Sequence, residues 1–574
     1  MFHLAGAARG TAASTTKMLT KNELKYAVGW AAAVMLLTCV PLAVVWWYVP
    51  TDGVFPLVLF NSDDHGVYFA WMRQARDGHI LFRNLFTTEP QRGVYFHLYF
   101  LLLGWLARIP GIDIPLAYHL GRMVFGALTL VLVYRLSAFF TADVFTRRCV
   151  FWTTALSAGL GWLFWGDVIT PLAQPVDVWQ PEALTFLSLY TNGLFCVSLA
   201  LMLGVVICLL LAEERGWKWA VGAGLAGLLL GNIHSYDMIH LTAAWGAYLL
   251  ARWIAGRRFP ARELGLALLA AVVAAPSVAH LAWLYKTEPV FQARADTPTL
   301  SPRLALYLLG YGLLIPLALW GAAVLRRLSE TDLGARPEAV RLRCLLPAAW
   351  LVAGFVAAYA PFAFQRKMIM GTHLPLALLA GLAVADLARR AAAITHRPRA
   401  AGVAAALLVG LLSITSVRFL YRDAAVALRE GRTSTTVHPV FWPASDLNAL
   451  EWLGAHAPPD AALLRDPFQG VLVPAYSGRA VYAGHWGETP RFSDRVKDVV
   501  AFYGRRWTSE ERLRFLRENR ITHVLEASAE RGLAEVGQRF DNSPPLAQEP
   551  FLRPVLQEGS TTLYEVVEPV VSPG

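Results

Sequence analysis

Apolar runs of bilayer length recur along this chain, and that recurrence leaves few architectures open. About eleven segments approach the roughly 20 apolar residues that cross a bilayer: 26–49, 117–140, 149–166, 191–211, 219–233, 238–254, 263–284, 304–325, 343–361, 374–388 and 402–420. The pair around Asn232–Asp237 is read as two short spans, because two keep the flanking charges consistent. Of the 574 residues, 56% are hydrophobic and 16% charged, against roughly 25% charged in a soluble domain. One soluble core is therefore excluded. The expected fold class is mainly α, a polytopic membrane protein of about 11 transmembrane helices.

Charge orients the spans. Arg147 and Arg148, Arg215 and Lys218, Arg257 and Arg258, Arg326 and Arg327, and Arg389 and Arg390 fall in alternate gaps with the lysines of the 1–25 tail, while 167–190 contains neither Lys nor Arg. The positive-inside rule puts the N-terminus in the cytoplasm and the C-terminus outside, in a multi-pass protein of the plasma (inner) membrane. The same clustering argues that the net charge of +10 is topological and that nucleic acid is not a partner. The tail lacks the shape of a cleavable signal peptide. The five cysteines all fall in expected spans without metal-ligand spacing, and read as small core residues. Most histidines, among them His65, His97, His119, His234, His240 and His373, map to the outer ends, where they are candidate substrate partners or tolerated polar span ends.

From about residue 421 charges and prolines become frequent. Strand-like runs at 462–464, 480–482, 522–525 and 562–566 alternate with helical patterns near 445–456, 491–504 and 509–519, so 421–574 is expected to form an extracytoplasmic α/β domain. The transmembrane domain is then 26–420, with a long outer loop at 50–116. In that loop Val67, Tyr68, Trp71, Met72 and Ala75 mark the apolar face of an interfacial helix that Gly78 stops. Asp63 and Asp64 stand at its start, and Asp64 shares a face with Tyr68. After the polar run 87–93, an aromatic stretch from Tyr95 to Leu106 is too short to span, and reads as a second interfacial helix that places Glu89 near the first.

An acid pair after the first span, then Tyr68, a helix ending in Gly78, a polar loop, a short apolar helix, and Gly121-Arg122 opening the second span: this order resembles the GT-C superfamily of membrane glycosyltransferases. It looks closest to the branch of protein O-mannosyltransferases and lipid A aminoarabinose transferases, whose acidic "DE…Y" motif is matched by Asp64 and Tyr68. The resemblance covers roughly 20–390. It departs at His65, where a second acid is usual, which leaves Asp63 or Asp64 open as the base. It departs again at Glu89-Pro90-Gln91, in place of Lys-Pro-Pro, which leaves the donor sugar open. It implies a GT-C-like transmembrane domain and a sugar moved, with inversion, from a polyprenyl-phosphate donor to a lipid, glycan or protein acceptor at the outer face, among membrane lipids.

The chemistry sets its own requirements. A lipid phosphate leaves readily, so one carboxylate base for the acceptor hydroxyl is needed, together with cations for the departing charge. Asp64 and Asp63 are the catalytic candidates; the competing role is a helix N-cap. Arg366 and Lys367 break the rule that outer loops lack positive charge, and fit a phosphate or lipid headgroups. Arg122 is a further phosphate candidate, or pairs with an outer-loop acid. His234, Asp237 and His373 are candidates for shaping the sugar pocket. His234 and Asp237 would equally serve as local hydrogen-bond and capping groups, or hold a divalent cation with Asp64. Without metal-ligand spacing, no metal and no cofactor are expected. The loop 285–303, with Lys286, Glu288, Arg294 and Asp296, is placed to cover the site. The run Gly484–Pro490 reads either as a strand-to-helix turn or as a sugar-binding loop built on Trp486. No phosphate-binding glycine loop is present, which argues against a nucleotide-sugar enzyme. The competing functions are a transporter or flippase, which should place polar residues at mid-bilayer, and a non-catalytic scaffold.

Overall fold

The computed structural model describes residues 19–164, 170–295, 297–331, 338–433, 438–537 and 542–567; residues 1–18 of the expected tail, and Asp296, lie outside them. The fold is mainly α and polytopic, with a small sheet domain near the C-terminus. Each expected span overlaps at least one helix, and 304–325 and 402–420 are each divided between two. Among the described residues, five helices are long and apolar enough to cross a membrane, or up to seven if each bent pair counts as one span. One pair, Leu304–Tyr311 with Leu314–Ser329, bends by 70°. The other, Arg399–Leu412 with Ile414–Glu430, bends by 49° and runs past the expected end of the last span.

Residues 219–254 form two helices, Trp217–Ile233 and Tyr236–Gly256, broken at His234 and Ser235. The expected span at 149–166 is helical only to Leu156. Beyond it the chain folds back, because the Asp177 carboxylate accepts from the main-chain N–H groups of Gly159 (3.0 Å) and Gly161 (2.9 Å). A Cβ on Gly159 would lie 2.2 Å from the carbonyl oxygen of Gly310, so only glycine allows this close crossing.

The apolar stretch of the span Gln365–Thr395 is wholly buried, whereas that of Ala261–Thr287 is mostly exposed on the bundle's rim. Small residues explain the buried case. A Cβ on Gly381 would stand 2.5 Å from Val150 Cα, and one on Gly321 would stand 1.8 Å from the Leu379 carbonyl oxygen. Membrane helices associate through close packing of this kind, since lipid tails are as apolar as leucine.

The C-terminal sheet has the spatial order Ala480–Val481, Ala462–Leu464, His523–Glu526, Thr561–Val566, Leu552–Glu558. The first three strands are parallel and the last two pair antiparallel. Helices Ala444–His456, Phe492–Tyr503 and Ser509–Glu518 fall close to their expected places. Beneath the sheet Arg465, fully buried, meets Asp446 (3.0 Å) and Glu530 (3.3 Å). Arg465→Ala would leave two buried carboxylates without their cation. It is expected to cost about 3–5 kcal/mol, read as a lowered melting temperature of the detergent-solubilised protein, whereas an unchanged melting curve would contradict this account.

Candidate functional site

The helix Ser62–Arg76 carries the acid pair. Its N-cap position falls on Asn61, at φ +48°, so Asp63 and Asp64 lie in the first turn and are not the cap. Carboxylates there are favoured by the positive end of the helix dipole. Asp77 caps the other end and Gly78 turns the chain at φ +108°, where the sequence places the stop. The second short helix forms at Leu98–Leu106, and its Gly104 packs on Ala75, which a Cβ would approach to 2.4 Å.

The first long loop is the seat of the C-terminal domain. Gly53–Val54 pairs with Trp442–Pro443. Val481 N–H donates to Leu85 O (2.9 Å), and Asn84 Nδ2 donates to Glu488 O (2.8 Å). Thr489 Oγ1 donates to Phe86 O (2.8 Å) and receives the N–H groups of Gly484 and His485. These bonds hold the turn Gly484–Pro490 over the acid pair. Trp486 Nε1 donates to Asp63 Oδ2 (2.9 Å). His485 Nδ1 accepts from Gly487 N (3.0 Å) and Glu488 N (3.1 Å), which fixes a proton on Nε2. That nitrogen is buried and stands 3.7 Å from Asp64 Oδ1, beyond hydrogen-bond length but within electrostatic reach.

A cavity with about 1110 Å³ of empty space opens here. Its wall brings together Asp64, Tyr68, His234, Arg366 and Lys367, five of the residues singled out from sequence. Tyr68 is held between Phe100 (5.0 Å between centroids) and Tyr118 (6.1 Å), and its hydroxyl receives Asn192 Nδ2 (3.3 Å). The Lys367 ammonium lies 4.6 Å from the Tyr236 ring centroid. The Arg366 guanidinium lies 5.5 Å from that of Trp179, and its buried Nε has no hydrogen-bond partner among the described residues. Burial raises the Asp64 carboxyl, but the facing His485, then Lys367 and His65, outweigh burial and hold it below its usual range. The side chain is 37% exposed, onto the cavity it lines.

Other sequence candidates lie outside this wall. Asp63 is held back by Trp486. Glu89 pairs with Arg495 of the C-terminal domain at 2.7 Å, so it meets that domain and does not line the cavity. Arg122 is wholly buried and donates to Thr38 Oγ1 (2.7 Å), Leu189 O (2.7 Å) and His119 (3.1 Å), which ties helices together. Asp237 is buried behind His234 (2.9 Å) and accepts from the Ser198 hydroxyl. His373 bridges Ser157 (3.2 Å) and Thr185 (2.8 Å) inside the bundle. The loop 285–303 does reach the site: Arg294 Nε meets Glu488 Oε1 at 2.8 Å, across the cavity they share. Glu182, not singled out from sequence, lines it too, as does His485 of the run Gly484–Pro490, which the sequence offers as a sugar-binding loop without a role for the histidine. The signal for Glu182 was an acid in the loop 167–190, read there only for its lack of positive charge. Among the described residues no group of three or more His, Cys, Asp or Glu side chains is arranged to hold a metal ion.

With that geometry in view, the chain can be set beside known proteins. Residues 367–568 match the model of a family of unknown function, DUF6541. No protein of curated function matches. Solved structures of like fold include the oligosaccharyltransferase of Archaeoglobus fulgidus tethered with an acceptor peptide containing the NVT sequon (TM-score 0.51, 14% identity, covering 89% of this chain and 71% of that one). ArnT of Cupriavidus metallidurans in the apo state is similar (TM-score 0.50, 14% identity, 96% and 100% covered). So is the mycobacterial arabinofuranosyltransferase AftD (TM-score 0.50, 14% identity, 96% of this chain but 40% of that one). These neighbours are glycosyltransferases of the GT-C fold, and at such identity the likeness is one of fold.

Gly66 lets the acid-bearing helix lie against the C-terminal domain: a Cβ there would stand 2.4 Å from Val471 Cγ2 and 2.6 Å from Val471 O. Gly66→Ala is therefore expected to cost about 1–3 kcal/mol and to lower the melting temperature, whereas Gly29→Ala, at a helical site with open space, is the control expected to leave it unchanged or raise it.

Proposed function

We propose that this chain is a membrane glycosyltransferase of the GT-C superfamily, in the branch of protein O-mannosyltransferases and lipid A aminoarabinose transferases. It moves a sugar from a polyprenyl-phosphate donor to an acceptor hydroxyl, with inversion. The observation that carries the reading is a single cavity beside the helical bundle, lined by an ionised carboxylate, Asp64, and by the cations Arg366 and Lys367. The positive-inside pattern supports a plasma (inner) membrane location with the cytoplasmic tail at 1–25, the transmembrane unit at 26–420 and the domain 421–574 outside.

In this scheme the donor's tail stays in lipid and its phosphate sits at Arg366 and Lys367. Asp64 takes the proton of the acceptor hydroxyl as that oxygen bonds to the anomeric carbon. The bond from that carbon to phosphate oxygen breaks, its electron pair leaves with the phosphate, and the guanidinium and ammonium stabilise the charge. Tyr68, clamped between aromatic rings, keeps the wall beside Asp64 rigid. His485 orients and supports the carboxylate from the C-terminal domain. The scheme assigns no cofactor and no divalent cation: the groups facing Asp64 are His485, Lys367 and His65, which are nitrogen bases and an ammonium. A transporter would need polar groups at mid-bilayer, whereas the acids and cations here converge on one cavity next to a folded domain.

The test is release of undecaprenyl phosphate from undecaprenyl-phosphate hexoses and pentoses by the protein in liposomes, with a membrane extract as acceptor source. Asp64→Asn is expected to leave expression and melting temperature unchanged and to slow release by about 10²–10⁴-fold; wild-type-like release by this variant would refute the proposal. The base is active only when ionised, so activity should be full at neutral pH and fall only as pH drops through the depressed Asp64 value, below the usual carboxylate pKa of about 4. His485→Asn keeps an acceptor for the turn's N–H groups and removes Nε2. It is expected to move the acid limb of the pH–rate profile upward, and an unmoved limb would remove His485 from the mechanism.

A further inference from the structure

Trp486 presents an unusual combination. Its indole is 43% exposed, yet its orientation is fixed twice, by the bond from Nε1 to Asp63 and by stacking on His485 with centroids 5.5 Å apart and planes at 26°. Interfacial tryptophans anchor membrane proteins by placing their N–H among headgroups. Here the N–H is committed to a protein carboxylate, and the ring lines the cavity beside Asp64 and Lys367.

We propose that Trp486 is the platform on which the acceptor is held, and that the acceptor is a saccharide. The inference rests on the glycosyl-transfer reading and adds the class of the second substrate. A flat, rigid aromatic face with polar groups at its rim suits a sugar ring, whose C–H face stacks while its hydroxyls meet carboxylates and ammonium groups. Asp63 fixes the indole, and its sequence neighbour Asp64 is the proposed base, so a ring stacked on Trp486 brings its hydroxyls to that base. The cavity that the ring lines also carries Asp64, Lys367 and Glu488.

A second feature lies on the same domain. Just past the turn, a groove with about 860 Å³ of empty space opens on the same domain, lined by Tyr482, Arg491, Asp494, Asp498, Trp507 and Glu518. Its acids and bases, with a half-buried indole, suit hydroxyl-rich rings.

The test uses the full chain in lipid nanodiscs. Saturation-transfer NMR is run with maltohexaose, mannohexaose and arabinohexaose and with a serine- and threonine-containing decapeptide, and undecaprenyl phosphate binding is followed by native mass spectrometry. The wild type is expected to bind at least one hexasaccharide. Trp486→Ala should weaken that binding by about tenfold or more, Trp486→Phe should retain most of it, and undecaprenyl phosphate should bind all three alike. Equal hexasaccharide binding by Trp486→Ala, or binding of the peptide alone, overturns the proposal and leaves the donor reading standing. Failure of the wild type to bind any hexasaccharide while it binds undecaprenyl phosphate also overturns it. Failure to bind undecaprenyl phosphate strikes the glycosyl-transfer reading itself.

Discussion

A carboxylate kept ionised inside a cavity is the constraint around which this molecule is arranged. Burial alone would raise the Asp64 carboxyl above its usual range. The opposing groups come from far along the chain, His485 from the C-terminal domain and Lys367 from the start of the span Gln365–Thr395, with His65 beside it. Neither distant group reaches Asp64 unless the first long loop, the bundle and the sheet domain are docked together. The contacts that do this are main-chain and short-side-chain bonds: Thr489 to Phe86, Asn84 to Glu488, Val481 to Leu85. They set distance and angle in a way that apolar packing alone does not.

The bundle below supplies rigidity by different means. Glycines at crossings let helices approach backbone to backbone, and several buried polar side chains bond from one helix to another. Arg122, Asp237 and His373 belong to that second set. A buried guanidinium that donates to a hydroxyl and a carbonyl is satisfied in place, and nothing in its environment asks for a phosphate. Arg366 differs, since among the described residues its buried Nε lacks a partner, and its side chain lines the cavity.

Much of the fold was legible because its signals are local. Apolar runs marked the spans, the face from Val67 to Ala75 marked the acid-bearing helix, and Gly78 marked its end. Strands at 462–464 and 523–526 showed as short β-branched and leucine runs between turn residues. The strand Leu552–Glu558 was not read, since Pro554 and its charges look wrong for a sheet. It lies at the edge, where proline is tolerated, and its register shifts just after Pro554. The break after Leu156 was hidden because the carboxylate that causes it, Asp177, acts across the fold. The site was half legible for the same reason. The acid pair and the basic pair were visible as residues that defy their surroundings, but sequence does not record that Arg122 finds Thr38, that Glu89 finds Arg495, or that His485 comes to face Asp64.

The account stands or falls on where a lipid phosphate binds. The direct measurement is a cryo-electron-microscopy map of the full chain in nanodiscs containing undecaprenyl phosphate. Density for the phosphate at Arg366 and Lys367, within the cavity that Asp64 lines and with the prenyl tail leading into lipid, is the predicted result. A phosphate bound elsewhere, with Asp64 facing an unoccupied cavity at saturating lipid, would contradict it.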